Sequence, residues 1–141
     1  MATHDNSIAK GVEAHNTGNG KFQVEIHAAG KTLLADEPVD VGGLGSGPTP
    51  YELLASALAA CTTMTLKLYA DRKGWPLERV SVHVSHSRQG AEARDRFVRE
   101  ISMQGPLDDD QRRRLVEIAG RCPVHLTLER GSDVATIVAA A

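Results

Sequence analysis

The order of hydrophobic and polar residues changes period several times along the chain, and each change marks an element. Phe22, Val24, Ile26 and Ala28 alternate with Gln23, Glu25 and His27, the period of a half-buried strand. Ahead of them, Thr17-Gly18-Asn19-Gly20 is a turn ending in Asn-Gly, and Ile8 to His15 predicts an earlier strand. Ala29-Gly30-Lys31 turns the chain again, and Thr32 to Ala35 completes an N-terminal meander. From Leu53 the period is helical. Leu53, Leu54, Ala57, Leu58, Cys61, Met64, Thr65 and Leu68 recur at steps of three and four, with alanines filling most of the rest. Apolar residues nearly all round predict a central, buried helix.

The helix has clear ends. Thr49 is placed to be its N-cap and Pro50 its first residue. Glu52 stands three residues after Thr49, the spacing of a capping box. Gly74 with Pro76 beyond it marks the stop. The lead-in, Asp36 to Pro50, is rich in Gly and Pro. Gly42, Gly43, Gly45 and Gly47 suggest a phosphate cradle, but neither GxGxxG nor a Lys-Ser/Thr ending is present. The better expectation is a pliable cover whose glycines let backbone approach a neighbouring surface.

Val80, Val82 and Val84 alternate with Ser81, His83 and Ser85, and Arg96 to Gln104 follows as a second strand, so the two form a hairpin. Phe97, Ile101 and Met103 share a face, with Arg99 in the same register. Asp108 and Gln111 have capping-box spacing for a second helix. Its stripe of Leu115, Ile118, Ala119 and Cys122 turns Cys122 toward the core. Pro123 then discourages helix at Cys122, and a short further turn is expected through His125 to Leu128. Gly131 ends it, and Val134 to Ala139 predicts a last strand.

Length and composition narrow the classes. A chain of 141 residues suits one domain, and polar residues 1–7 are expected to be mobile. Aromatics make up 4%, and an aliphatic, Ala-rich core gains less per side chain than an aromatic one. Oligomerisation is therefore expected. The formal net charge of −2 argues against nucleic acid or an anionic membrane as partner. Arg112-Arg113-Arg114 follows Asp108-Asp109-Asp110, an order that complements a helix dipole. No apolar run reads as long enough to span a bilayer, and MATHDNSIAKG lacks the apolar centre of a signal peptide. A cytoplasmic location is expected. There, two cysteines read as free or redox-active more readily than as a structural disulfide.

Those two cysteines are the candidate chemistry. A reactive thiol needs something to lower its pKa. Cys61 sits about three turns into its helix, too deep for the N-terminal dipole to help. A cation must come from elsewhere, and Arg121, His125, Lys10, Lys21 and Arg96 are all available. The residues alone leave three readings open: small core hydrophobes, a redox pair, or a metal site of Cys61, Cys122 and His125. No CxxC and no same-helix HxxxH supports the last, and His83 and His86 fall on opposite faces of a strand. No metal or cofactor is expected.

The stretch GPTPYELLASALAACTTMTLKLYADRKGW, followed by PLDDDQRRRLVEIAGRCPVHLTLE, resembles the OsmC/Ohr family of thiol-dependent peroxidases, most closely its OsmC-like branch. The resemblance spans about Val12 to Val138. It implies one OsmC-like domain over 1–141, α+β, with two central helices wrapped by antiparallel sheets in an intertwined homodimer and sites at the subunit interface. By motif, Cys61 would be the peroxidatic residue and Cys122 the resolving one. Glu52 matches a glutamate that orients a catalytic arginine, although it also reads as a capping-box carboxylate. The implied function is reduction of organic hydroperoxides in an oxidative stress response, with a thiol, dithiol or lipoylated protein as reductant. Apolar walls such as Leu54, Leu58 and Leu126 would favour organic peroxides. One departure stands out: the family's arginine comes from the N-terminal strand region, and no arginine here precedes Arg72. Lys10 or Lys21 would lack the planar fork. The alternative function is a non-catalytic dimer holding a hydrophobic small molecule at its interface.

Overall fold

The computed structural model describes residues 11–140. They divide into two compact units, one reaching to Leu53 and the other beginning at Leu54.

The first unit holds a three-stranded antiparallel sheet in the order β1 (Glu13–Asn16), β2 (Val24–Ala28), β3 (Lys31–Ala35). Of the strand predicted over Ile8 to His15, the described residues show Glu13 to His15 in β1 and Gly11 and Val12 outside it, and Ile8 to Lys10 lie outside the described residues. Ala29 and Gly30 both have positive φ, 53° and 74°. That is the pair of left-handed residues a tight hairpin between β2 and β3 demands. The register sets Ala14 opposite Ile26 and Ile26 opposite Leu33 on one face. On the other face it sets His15 opposite Glu25 and Glu13 opposite His27.

The glycine-rich segment is not a pliable cover. Asp36 is buried, and its carboxylate accepts from the backbone N–H groups of Glu37, Leu44 and Ser46 and from the Ser46 hydroxyl. The amides of Glu37, Leu44 and Ser46 are turned inward onto this carboxylate rather than outward as a phosphate cradle. The Ser46 hydroxyl, then the three backbone N–H groups, hold the Asp36 carboxyl below the usual carboxylate range against the opposing effect of burial. Gly43 and Gly47 let the chain close on itself, since a Cβ at either would collide with the carbonyl of Glu37 or Leu34.

Helix α1 (Pro50–Lys73) opens as its sequence predicts. The Thr49 N–H donates to Glu52 Oε1 at 3.0 Å, and the Glu52 N–H donates to Thr49 Oγ1 at 3.1 Å, a complete capping box. It closes at Gly74, whose φ is 70°. Two expectations about this helix need correction. It is buried along one face only, through Ala55, Leu58, Thr62, Thr65, Leu66 and Ala70, while Met64 is 71% exposed. It is also long and apolar enough, by length and composition alone, to cross a membrane. Ala, Cys, Met and Thr interrupt the strongly apolar residues without adding charge, which hides the length of the run from a search for Leu and Val. The core helix of a soluble protein passes the same test, and the inner face of α1 is packed against protein.

In the second unit, β4 (Arg79–Ser87) and β5 (Arg96–Gln104) form the expected antiparallel hairpin, with Val84 opposite Arg99. Exposure alternates strictly along both strands. Val80, Val82, Val84 and His86 face inward with Phe97, Arg99, Ile101 and Met103. Helix α2 (Asp109–Ala119) carries the predicted capping box between Asp108 and Gln111. Its Leu115, Ile118 and Ala119 join Leu66, Ala70 and Leu77 in one core. Each fully buried leucine there contributes about 2 kcal/mol.

The three arginines of α2 are structural ties rather than dipole partners at its end. Arg112 donates to the carbonyls of Met103 and Gly105, Arg113 to Asp110, and Arg114 to Tyr69 and Glu117. Helix α3 (Pro123–Arg130) follows with Cys122 as its N-cap and Pro123 at its first position. Val134 to Ala139, expected as a strand, has no regular structure. The hydrogen bonds of a strand need a neighbour, and none of the described strands pairs with it. Its Ile137 is 92% exposed.

Candidate redox site

Cys61 and Cys122 both lie in the second unit, and both are free thiols. The long helix α1 presents Cys61 half-buried, between Ala60 and the fully buried Thr62. The apolar stripe of α2 carries Cys122 inward until it is wholly buried, and Pro123 turns the chain there into α3. Two cysteines distant in sequence thus fold with their sulfurs in neighbouring positions. Burial pushes the Cys122 thiol above the ordinary thiol range. Side-chain hydrogen bonding with Cys61, and the charge Cys61 would carry, push the same way. The backbone N–H groups of His125 and Val124 pull weakly against this. Cys122 therefore keeps its proton near neutrality.

The consequence for stability has a definite sign. The folded protein holds the Cys122 proton more tightly than the unfolded chain does. The stabilisation is fully present below the unfolded thiol pKa of about 8.5 and is lost as pH rises through the higher folded value. Denaturant midpoints are expected to fall above about pH 8.5, and the fall should shrink in Cys122→Ala. An unchanged slope in that variant would show that the loss arises elsewhere.

A chain of hydrogen bonds centred on Arg99 joins Thr62, the residue after Cys61, to His125, three residues after Cys122. Its Nη1 donates to Thr62 Oγ1 at 3.1 Å, and Thr62 donates in turn to the Leu58 carbonyl at 2.7 Å. Its Nη2 lies 3.0 Å from His125 Nδ1, and His125 Nε2 lies 3.1 Å from Glu129 Oε2. A guanidinium has no acceptor, so Nδ1 must accept from Arg99, and Nε2 carries the proton given to Glu129. Arg99 thus links the residue after Cys61 to the third residue of the helix that Cys122 caps. It is a planar, permanently charged group in the half-buried layer of β5.

Of the cations proposed from sequence, only His125 belongs to this cluster. Arg96, Arg121 and Lys21 are exposed, and Lys10 lies outside the described residues. With Arg99 on Nδ1 and Glu129 on Nε2, His125 offers no open ring nitrogen as third ligand for a metal on the cysteines. Glu52 closes the capping box nine residues ahead of Cys61, about 13 Å along the helix axis. Arg99 was the functional candidate that sequence reasoning passed over. Its signal was present: a charged residue sharing a strand face with Phe97, Ile101 and Met103 needs a buried partner.

Comparison with known structures places the fold in a class. An OsmC-like protein from Mycoplasma pneumoniae superposes with a TM-score of 0.72 at 20% identity, covering 84% of this chain and 86% of that one. An organic hydroperoxide resistance protein OsmC from Legionella pneumophila gives 0.64 at 26% identity, over 83% and 86%. The organic hydroperoxide resistance protein OhrB of Bacillus subtilis gives 0.58 at 20%, over 83% and 88%. The fold is the α+β fold of these proteins. Residues 43–137 match the family described as OsmC-like protein, and the chain belongs to that family. A search of curated protein sequences finds no match.

Proposed function

We propose that this protein reduces organic hydroperoxides with Cys61 and Cys122 as its thiol pair. The observation that carries this reading is the asymmetry of the pair: a half-buried thiol that solutes can reach, beside a buried thiol that retains its proton. The thiolate of Cys61 attacks the terminal peroxide oxygen. The O–O bond breaks, the leaving alkoxide takes a proton to become an alcohol, and Cys61 becomes a sulfenic acid. The Cys122 sulfur then attacks the Cys61 sulfur, water leaves, and a disulfide remains. Two electrons from a thiol, dithiol or lipoylated protein restore both thiols. Free thiols suit a reducing compartment such as the cytoplasm. Arg99 supplies the fixed positive charge that the N-terminal strands lack in the form of an arginine.

A thiol count after one equivalent of cumene hydroperoxide tests the reading. Both thiols are expected to disappear within seconds, with one equivalent of alcohol formed. Persistence of both would favour the alternative, a binding protein whose cysteines are inert.

The same reading includes a homodimer. Leu54, Met64 and Leu68 leave apolar surface exposed on α1, and Val134, Ile137 and Val138 expose a β-branched segment that pairs with none of the described strands. A second copy would cover both. Sedimentation is expected to give a dimer, and Met64→Glu to weaken it by roughly a hundredfold, as for a charge set into an interface centre. A wild-type monomer at micromolar concentration would remove the dimer from the proposal.

A further inference from the structure

We propose that one face of the N-terminal sheet holds a divalent transition-metal ion of borderline softness, such as Zn²⁺, Ni²⁺ or Co²⁺, on His15, Glu25 and His27. This set shares no residue with the redox proposal above and plays no part in its chemistry. The ligand atoms of these three residues all lie within 4.8 Å of one another. The Glu25 carboxylate bridges the two ring edges, with Oε1 at 3.3 Å from His27 Nε2 and Oε2 at 3.8 Å from His15 Nε2. The rings stack at 5.3 Å with 20° between their planes. Each imidazole therefore already turns its Nε2 toward the same carboxylate. Two imidazoles and one carboxylate on one side are a donor set that suits this class of ion. An open outer side leaves room for water ligands, as in a three-ligand site.

The sheet explains how the cluster arises. His15 pairs with Glu25 across β1 and β2, and His27 follows two residues later on the same face. The register that aligns Ala14, Ile26 and Leu33 on one face thus gathers these donors on the other. A further feature is built for ligation. Thr32 of β3 holds His27 Nδ1 at 3.1 Å, so the second ring nitrogen has the outer-shell partner that ligating histidines usually have. When a metal takes Nε2, Nδ1 becomes the donor and the Thr32 oxygen the acceptor. Glu13, opposite His27 in the register, adds negative charge to the same face. The side chains of His15 and His27 are 53% and 42% exposed, which leaves the site open to ions from solution.

The test uses the full chain, without a histidine tag, and two readouts. Titration with Zn²⁺ is expected to show one ion per chain outside the thiols, measured both in wild type and in a Cys61→Ser/Cys122→Ser background. Affinity should fall at least tenfold in His15→Ala and in His27→Ala. In wild type, substoichiometric Co²⁺ should perturb the NMR signals of His15, His27 and Thr32 before any others. Unchanged affinity in both histidine variants would overturn the proposal. So would Co²⁺ perturbation that begins at Cys61 and Cys122, or a failure to bind at micromolar concentrations.

Discussion

Cys61→Ser is expected to abolish hydroperoxide reduction, leaving only the uncatalysed background. A serine hydroxyl is a far weaker nucleophile than a thiolate, and no second thiol is positioned to take over. Cys122 is wholly buried and is pushed toward its protonated form, so it should not meet the peroxide first. Removal of a single nucleophile typically costs on the order of 10⁴-fold or more. Cys122→Ser should separate the two halves of the reaction. The first turnover proceeds, and a sulfenic acid persists at Cys61 because its nearest thiol is gone. Trapping with dimedone followed by mass spectrometry reads the outcome directly. Label on Cys61 in Cys122→Ser, and none in wild type after turnover, is the expected pattern. Full activity in Cys61→Ser, or label appearing first at Cys122 in wild type, would reverse the assigned order.

Much of this arrangement was legible before any coordinates. Both capping boxes, at Thr49 and Asp108, follow from local geometry that few tertiary contacts override. The β4–β5 hairpin and the inward faces of its two strands were legible, because strict alternation fixes which side chains share a face, whereas the register, Val82 opposite Ile101, comes from the structure. Other features were not local. The first-helix pattern reads as buried all round, yet part of that apolar surface is exposed on this chain, because period cannot say which molecule covers a face. Val134 to Ala139 has the composition of a strand, but strands are defined by pairing, and no described strand pairs with it. The glycines before α1 suggest mobility. The constraint there comes from Asp36, one carboxylate gathering amides up to ten residues away. The neighbouring positions of Cys61 and Cys122 were expected only from family resemblance, since nothing in spacing requires two helices to meet at those residues.

The role of Arg99 sets the second large effect. Arg99→Met is expected to slow sulfenic acid formation by roughly a hundredfold, the usual loss when one fixed charge or donor is removed from a reacting centre. The guanidinium holds Thr62 with one nitrogen and His125 with the other, a two-ended grip that needs a planar fork. A lysine in its place keeps the charge but can reach only one partner well, so Arg99→Lys should recover little of the rate. Stopped-flow measurement in the Cys122→Ser background isolates the first chemical step from disulfide formation. Thr62→Val serves as a milder control. It removes one anchor while leaving Arg99 against His125, and about a tenfold loss is expected, one hydrogen bond's worth near a charged group. A purely architectural Arg99 would lower the denaturant midpoint in Arg99→Met yet leave the rate per folded molecule unchanged, and that result would return the search for the activating charge to residues outside this cluster. A loss confined to the rate, with stability retained in Arg99→Lys, would tie the guanidinium to the developing negative charge on the departing oxygen.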